Sequence, residues 1–156
     1  ELWNHGYFQY LLQAELEKSR VRKTPLSLIM MDIDDFKIYN DILGHQSGDR
    51  ILKKLALLLK NQSRQMDHTC RYGGEEFTII LPQTDKKEAY VIAERLRKEI
   101  EKHVFIHEEI MPNKKLTASL GIATFPEDGE LAATLITCSD KKLYEAKNKG
   151  KNNTCA

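Results

Sequence analysis

The chain has few cysteines, almost no net charge and no long apolar run. Its three cysteines, Cys70, Cys138 and Cys155, are odd in number and lack metal-site spacing, which favours free thiols in a reducing compartment such as the cytoplasm. Charged residues make up 30% of the sequence, but the net charge is +1, so bulk attraction to nucleic acid is not indicated. No apolar stretch reaches the roughly 20 residues of a membrane span, and no signal peptide is recognisable. We therefore expect a cytoplasmic segment with no nucleic-acid or membrane partner of its own, although the full-length protein could be membrane-anchored.

The 156 residues are enough to bury one sizeable core, and neither repeats nor low-complexity tracts divide them. Apolar residues at helical spacing predict helices over residues 7–20, 51–59, 85–102 and 131–149. Apolar or alternating runs predict strands over residues 26–32, 69–72, 77–81, 104–111 and 115–124, the last two as a hairpin around Pro112. This alternation of strands and helices indicates a single domain with α/β or α+β packing.

The most informative segment is residues 71–77, which reads RYGGEEF. Gly73 and Gly74 allow a tight turn and leave room for a bulky ligand. Glu75 and Glu76 follow at once, and hard divalent cations prefer such carboxylate oxygens. The pattern predicts a hairpin tip with acid beside space for phosphate, although an ordinary Gly-Gly hairpin with two solvated acids explains this segment equally well.

A second acidic segment follows the apolar run at residues 26–31. Asp32, Asp34 and Asp35 come at the end of this predicted strand, and strand ends line the ligand crevice of α/β sheets. Asp32 and Asp34 would share one face if the strand extends that far. Aspartate is also common in turns, so a turn without a ligand explains the segment when it is taken alone. Paired with Glu75 in a neighbouring turn, Asp32 is better explained as a metal ligand.

Both segments, in this order and spacing, resemble the GGDEF-domain diguanylate cyclases. The signature stands at residues 73–77 as GGEEF, a variant with Glu in the third place, and residues 32–37, DIDDFK, match the family's metal and phosphate segment. Further matches lie in the guanine segment at 40–49, the core strand at 116–123 and the closing helix at 140–152. The resemblance covers essentially the whole chain. It implies a central, mainly antiparallel sheet of about five strands flanked by helices, like the palm of nucleotidyl cyclases and polymerases.

The resemblance also implies a reaction, in which two GTP molecules condense to cyclic di-GMP and release two pyrophosphates. A ribose 3′-hydroxyl attacks the α-phosphorus of the opposite nucleotide across a two-fold dimer. Two Mg²⁺ ions per half-site, with Mn²⁺ as the alternative, would activate this nucleophile and neutralise the triphosphate. Asp32, Glu75 and the main-chain carbonyl of Ile33 are the implied metal ligands, and Glu75 and Asp32 are the implied catalytic residues. Glu75 could also receive the hydroxyl proton.

The implied GTP contacts are spread along the sequence. They are Asn40, Asp49, Phe36, Lys37, Gly73, Gly74, Lys147 and Lys151. A carboxylate at Asp49 can accept from N1 and the exocyclic amine of guanine, a donor pair that adenine lacks, but Asp49 could also cap the helix before Ile51. Lys147 and Lys151 lie four apart on one helical face, where they could contact distal phosphates or form a solvated basic helix end. The family usually has Arg at the place of Lys151, and Lys loses the bidentate geometry of Arg.

Arg64 and Asp67 match the family's product-inhibition motif, an Arg and an Asp separated by two residues and placed shortly before the glycine pair. Arg suits phosphate and the guanine Hoogsteen edge, and Asp suits the guanine N1–H face. Arg95, on the predicted helix at 85–102, matches a secondary product contact, although an exposed helix residue explains it as well. The match implies feedback inhibition by cyclic di-GMP.

The implied partners are GTP, cyclic di-GMP, a transient homodimer and an upstream sensor or receiver domain. Residues 2–5, LWNH, resemble the second half of the family's opening motif, so we expect residues 1–156 to be the catalytic domain from the C-terminal part of a longer bacterial protein. The alternative is a catalytically weak module that binds GTP or cyclic di-GMP, which the retained acids argue against. A different palm-type nucleotidyl transferase would not need Arg64 and Asp67.

Overall fold

A computed structural model of the protein describes residues 4–156, so the match at Leu2 and Trp3 lies outside the described residues. The helices are α1 His5–Arg22, α2 Phe36–Leu43, α3 His45–Gln62, α4 Lys86–Lys102 and α5 Ala132–Asn148. The strands are β1 Leu26–Ile33, β2 His68–Gly73, β3 Glu76–Pro82, β4 Ala118–Phe125 and β5 Thr154–Cys155. Two short 3-10 helices, Glu108–Ile110 and Pro112–Lys114, precede β4. No helix within residues 4–156 is long and apolar enough to cross a membrane.

The strands form one sheet in the order β2-β3-β1-β4-β5. The four longer strands pair in antiparallel fashion. The short β5 instead runs parallel to β4, with Leu120 opposite Thr154 and Gly121 opposite Cys155. The expected five-stranded, mainly antiparallel sheet with flanking helices is confirmed, and the one parallel pair makes the sheet mixed.

The predicted hairpin over residues 104–124 is wrong in its first half. Residues 104–114 make turns and the two 3-10 helices, with His107, Asn113 and Lys114 at φ of 58°, 64° and 56°. A β-strand cannot continue through residues in this left-handed region. Phe105 and Met111 of this segment pack into the core, and the fifth strand comes from residues 154–155.

Helices cover both faces of the sheet, and each face has its own apolar core. Side chains alternate along a strand, so Leu28 and Ile29 of β1 point to opposite faces. Leu28 belongs to the cluster that includes residues of α1 and α5, whereas Ile29 belongs to the cluster with α2, α3 and α4. Both side chains are fully buried. Asp32 continues the even-numbered face of β1, which is the face covered by α5.

Close packing of α5 on β4 at Gly121 sets the position of this helix. A Cβ on Gly121 would lie 2.1 Å from both the main-chain nitrogen of Leu143 and the carbonyl oxygen of Ser139. Only glycine permits this approach, because a methyl group there would meet backbone that cannot move aside. One helical turn after Leu143, the helix presents Lys147 at the end of β1.

Candidate active site

Acidic side chains meet where β1 ends and the β2–β3 hairpin turns. Asp32 lies directly opposite Glu76 in the antiparallel β1–β3 pair. Gly74 and Glu75 form the turn between β2 and β3. The charges of Glu75 and Glu76 both act on Asp32. The structure therefore brings the two predicted metal carboxylates, Asp32 and Glu75, to the same end of the sheet and adds Glu76, which is not among the predicted ligands.

Lys147 partly neutralises this acidic cluster. Its Nζ lies 3.0 Å from Oδ1 of Asp32, whose side chain is 12% exposed. The pKa of Asp32 is raised to about 6, chiefly by burial and also by the charges of Glu75 and Glu76, which together outweigh the hydrogen bond and charge of Lys147. The charge of Lys147 on Asp32 is thus opposed by those of two glutamates, and the cluster favours a further cation.

The glycines leave the hairpin tip open to a ligand. A Cβ on Gly74 would meet no atom of the described residues within 4 Å, and one on Gly73 would lie 3.4 Å from Oε2 of Glu76. The guanidinium of Arg71 donates to the carbonyl oxygen of Gly74 at distances of 2.8 and 3.1 Å. This fork braces the turn that carries Glu75, a contact that the sequence pattern does not predict.

The start of α2 lies just beyond the acidic cluster. Asp35, at its N-cap, has a left-handed backbone (φ 56°), and its carboxylate accepts from Nζ of Lys151 at 2.6 Å. Lys37 is exposed on the first turn, while Phe36 is buried and stacks on Tyr39 with 6.0 Å between ring centroids. Main-chain N–H groups at a helix start, with two lysines nearby, form a suitable place for a phosphate.

Asn40 and Asp49 come from two helices that pack tightly at Gly48. A Cβ on Gly48 would lie 1.9 Å from Oδ1 of Asn40 and 3.2 Å from Cζ of Phe36. Oδ1 of Asn40 is buried and has no hydrogen-bond partner among the described residues. An unfilled buried acceptor costs free energy, which points to a ligand or water here. The alternative of Asp49 as a helix cap is wrong, because α3 begins at His45 and Asp49 is an exposed residue within it.

The three residues of the predicted product site lie together in the α3–β2 loop and on α4. Oδ1 of Asp67 accepts from Nη2 of Arg64 at 2.8 Å, and Oδ2 accepts from the main-chain N–H of Arg64 at 2.7 Å. Arg64 also donates to Oγ1 of Thr84 at 2.7 Å. Arg95 donates to the carbonyl oxygen of Gln62, the last residue of α3, at 2.9 Å, which brings α4 against the start of the same loop. The side chain of Arg64 is 44% exposed and that of Asp67 only 3%, so a ligand would reach Arg64 first.

Asp34, which the sequence grouped with Asp32, has a different surrounding. It lies past the end of β1, is buried, and accepts from Oγ of Ser119 at 2.6 Å and from Oγ1 of Thr117 at 2.8 Å. Its second oxygen also accepts from the main-chain N–H of Asn152 at 2.9 Å. The strand therefore does not extend as far as the shared-face expectation required. Hydroxyls at alternate positions of an otherwise apolar strand were the signal that could have identified this anchor.

The donors at the acidic cluster suit a hard cation. Within residues 4–156, no three His, Cys, Asp or Glu side chains are arranged to hold a metal ion. The set expected from the sequence is different, because it combines the carboxylates of Asp32 and Glu75 with the carbonyl of Ile33. Mg²⁺ keeps several waters and needs few protein oxygens, so such a set is sufficient for it. The excess of acid around the buried Asp32 supports this fit.

Comparisons with known proteins agree with this geometry. A family model described as "Diguanylate cyclase, GGDEF domain" matches residues 1–153. Diguanylate cyclase A of Treponema denticola is 37% identical over 150 residues, which cover 95% of this chain and 40% of that protein. The chain thus spans less than half the length of this curated relative.

Two solved structures are similar over nearly the whole chain. The active GGEEF domain of a diguanylate cyclase from Vibrio cholerae gives a TM-score of 0.90 at 32% identity, covering 99% of this chain and 97% of that one. The GGDEF domain of DgcB from Caulobacter crescentus, solved in complex with c-di-GMP, gives 0.88 at 28% identity, covering 99% and 91%.

The five-stranded sheet with its flanking helices matches the class of solved GGEEF and GGDEF domains. Within that class, the family model covers almost every residue of this chain. The chain therefore belongs to the GGDEF family of diguanylate cyclase domains.

Proposed function

We propose that this domain condenses two GTP molecules into cyclic di-GMP and releases two pyrophosphates. The observation that supports this most is the meeting of Asp32, Glu75 and Lys147 at one end of the sheet, next to the start of α2. Such a cluster offers a place for cations directly beside a place for anions, which is what triphosphate chemistry requires. The names of the relatives support the same activity.

In this proposal, the acidic cluster acts on the attacking hydroxyl. Asp32, Glu75 and the carbonyl of Ile33 would hold divalent metal, whose chemistry when bound is to neutralise phosphate charge and acidify the 3′-hydroxyl. Glu75 takes the proton of that hydroxyl as general base. The 3′-oxygen then forms a bond to the α-phosphorus, and the bond from this phosphorus to the bridging oxygen of pyrophosphate breaks. When the nucleotide binds, Lys147 leaves its ion pair with Asp32 and pairs with the triphosphate instead, because the triphosphate carries the larger negative charge.

The other proposed contacts orient GTP. The main-chain N–H groups at the start of α2, with Lys37 and Lys151, hold the terminal phosphates. The open glycines of the hairpin tip let the nucleotide approach the main chain. Asn40 and Asp49 bind the guanine base, and the unpartnered Oδ1 of Asn40 supports a ligand in this cleft. Adenine would leave the carboxylate of Asp49 without its donors, so GTP should be used in preference to ATP.

One domain would hold half of the reaction site. The contacts around Asp32, Asn40 and Asp49 accommodate one GTP, while the reaction needs two nucleotides that attack each other. Two domains must therefore meet face to face with two-fold symmetry, each presenting the same surface. We expect a transient dimer, and a sensor or receiver domain is the partner that we propose would stabilise it.

The cluster of Arg64, Asp67 and Arg95 is the proposed site of product feedback. Cyclic di-GMP carries two phosphates and two guanine edges, which suit two arginines and one carboxylate. Arg64 and Asp67 already hold each other, so the product would have to open this pair when it binds. The arrangement of the loop against α4 supports one shared binding surface for all three side chains.

The test is incubation of the purified protein with GTP and Mg²⁺, followed by identification of the product by mass spectrometry. We expect cyclic di-GMP and pyrophosphate, little product from ATP, and a specific activity that rises with protein concentration because encounter of two domains limits the rate. Fusion to a dimerising partner should raise the rate by increasing the effective concentration.

Three outcomes would contradict the proposal or part of it. A flat specific activity from a domain shown to be monomeric by sedimentation would reject the half-site mechanism. Equal use of ATP and GTP would reject the role of Asp49. Tight binding of GTP or cyclic di-GMP without any turnover, at all concentrations and in the fused dimer, would instead establish the alternative of a binding module.

A further inference from the structure

A single asparagine ties the segment after α5 to two other parts of the domain. Asn152 donates its main-chain N–H to Oδ2 of Asp34 at 2.9 Å. Its side-chain oxygen accepts from Nη1 of Arg97 at 2.7 Å, and its side-chain nitrogen donates to Oε1 of Glu101 at 2.8 Å. Asn152 therefore connects the end of β1 and helix α4 to the short loop that follows α5.

The α4 side of this connection is held firmly in place. The side chain of Arg97 is only 12% exposed and donates through Nε and Nη2 to Glu94 at 2.9 and 3.2 Å. Its Nη1 also donates to Glu101 at 3.1 Å. Arg97 can thus present Nη1 to Asn152 in one fixed direction, because a planar guanidinium with two carboxylate partners has little freedom left.

The contacts of Asn152 hold the preceding residue, Lys151, in position. Lys151 and Asn152 are consecutive residues with left-handed backbone, at φ of 63° and 45°. This conformation is unfavourable for a non-glycine residue, and it persists where surrounding contacts impose it. The contacts that impose it here are those of Asn152 with Asp34, Arg97 and Glu101. The result is that Nζ of Lys151 lies 2.6 Å from Oδ1 of Asp35, the N-cap residue of α2.

We propose that Asn152, oriented by Arg97, is a positioning residue for the triphosphate end of the nucleotide site. It does not need to touch the nucleotide, because it acts through Lys151 and through the Asp34 anchor that ends β1. This inference rests on the proposed function, since it assumes that the start of α2 and Lys151 receive phosphates. It assigns α4 residues to the support of that site, although the helix lies away from the acidic cluster.

The test measures equilibrium binding by calorimetry in the presence of Mg²⁺, with two probes. One is a GTP analogue with an α,β-methylene bridge, which cannot turn over, and the other is GMP, which lacks the terminal phosphates. Asn152→Gly removes the side chain while keeping the main-chain N–H and tolerating the left-handed backbone. Arg97→Met leaves the loop sequence intact and removes one of the two α4 partners of Asn152, while Glu101 remains. For both variants we expect affinity for the analogue to fall about tenfold, as loss of one charge-assisted contact implies, and affinity for GMP to change less than about twofold.

Asn153→Ala is the matched control. Asn153 is the neighbouring asparagine, but its side chain accepts from the main-chain N–H of Thr154 and lies outside the connection to α4. We expect it to leave the affinities for both probes unchanged. The double variant with Arg97→Met and Asn152→Gly should bind the analogue no more weakly than Asn152→Gly alone, because Arg97 acts through Asn152.

The outcomes separate this inference from the proposed function. If the unmodified protein binds the analogue and both variants bind it equally well, the positioning role is rejected while the proposed function stands. If both variants lose GMP and analogue affinity by the same factor, Asn152 is a general structural residue and the inference is again rejected. If the unmodified protein binds neither probe, the proposed function itself fails and the inference fails with it.

Discussion

Two aspartates at the end of β1, only two positions apart, have opposite surroundings. Asp34 is 4% exposed and accepts three hydrogen bonds, from Ser119, Thr117 and Asn152. Asp32 is nearly as buried, but Lys147 is its one cationic partner within residues 4–156, and two further carboxylates act on it from the hairpin. The carboxylate of Asp34 is fully hydrogen bonded within the protein, whereas the negative charge around Asp32 is only partly neutralised.

The difference separates a structural acid from a candidate functional one. A buried charge that is fully hydrogen bonded stabilises the fold and has no capacity for a ligand. A buried charge beside like charges raises the free energy of the folded state and can be stabilised by a cation that arrives later. Burial alone would not distinguish the two residues, whereas the count of donors does.

The largest effect on turnover should come from Glu75, the second proposed metal carboxylate beside Asp32. We expect Glu75→Gln to reduce turnover at least about a hundredfold, because a neutral amide can neither balance a cation nor accept the hydroxyl proton. The measurement is the rate of cyclic di-GMP formation, with circular dichroism to show that the variant is folded. Glu109→Gln, at an exposed glutamate on the 3-10 helix, serves as the matched control and should leave the rate unchanged. Near-normal turnover by folded Glu75→Gln protein would remove Glu75 from the mechanism.

Much of the structure around these two aspartates could be predicted from the sequence. Residues 26–32 and 71–77 predicted a strand end and a hairpin tip with acids, and both are present where expected. The helices at 85–102 and 131–149 were also predicted to within a few residues. These elements carry strong local signals: apolar periodicity, a glycine turn and a capping aspartate, Asp85, whose side chain accepts from the main-chain N–H three residues on.

The parts that could not be predicted depend on contacts distant in sequence. A D-x-D pattern does not show which aspartate has its hydrogen bonds filled by the protein, because the donors to Asp34 come from residues more than 80 positions away. The two-residue strand β5 is defined only by its pairing with β4. Residues 104–111 have strand-like composition, but left-handed backbone at His107 ends any strand there. Local propensity was overridden in each case by tertiary contacts.

The second prediction concerns Asp34, whose carboxylate is fully hydrogen bonded within the protein. Asp34→Asn should lower the free energy of unfolding by about 3 kcal/mol, because the new amide nitrogen would face hydrogen-bond donors in a buried position. Asp35→Asn is the matched control, since Asp35 is a partly exposed residue with one lysine partner and should cost less than about 1 kcal/mol. Urea denaturation of both variants measures the difference. Equal destabilisation by the two changes would show that Asp34 is not a special anchor.

The pair of Arg64 and Asp67 is an intermediate case, closed on itself but with Arg64 exposed to ligand. We expect Arg64→Ala to raise the inhibition constant of cyclic di-GMP about tenfold while the turnover rate at low product stays the same, because no proposed GTP contact involves Arg64. Initial rates at increasing cyclic di-GMP give both quantities. Arg22→Ala, at the exposed end of α1, is the control. Unchanged inhibition in Arg64→Ala would place the inhibitory site at the substrate cleft.

The smallest expected change in stability is that caused by substitution of Asp32. Asp32→Asn removes a buried charge that two glutamates oppose, and the Lys147 that it releases is 35% exposed and can be solvated. We therefore expect the free energy of unfolding to stay the same or rise by up to about 1 kcal/mol, in the absence of metal and nucleotide. Turnover should nevertheless be lost, because the substitution removes a proposed metal ligand. Urea denaturation beside Asp34→Asn provides the comparison, and added Mg²⁺ should stabilise the unmodified protein more than the variant. A loss of stability as large as that of Asp34→Asn would mean that Asp32 is a structural acid like its neighbour, and that the excess of acid at the hairpin tip has another purpose than holding a cation.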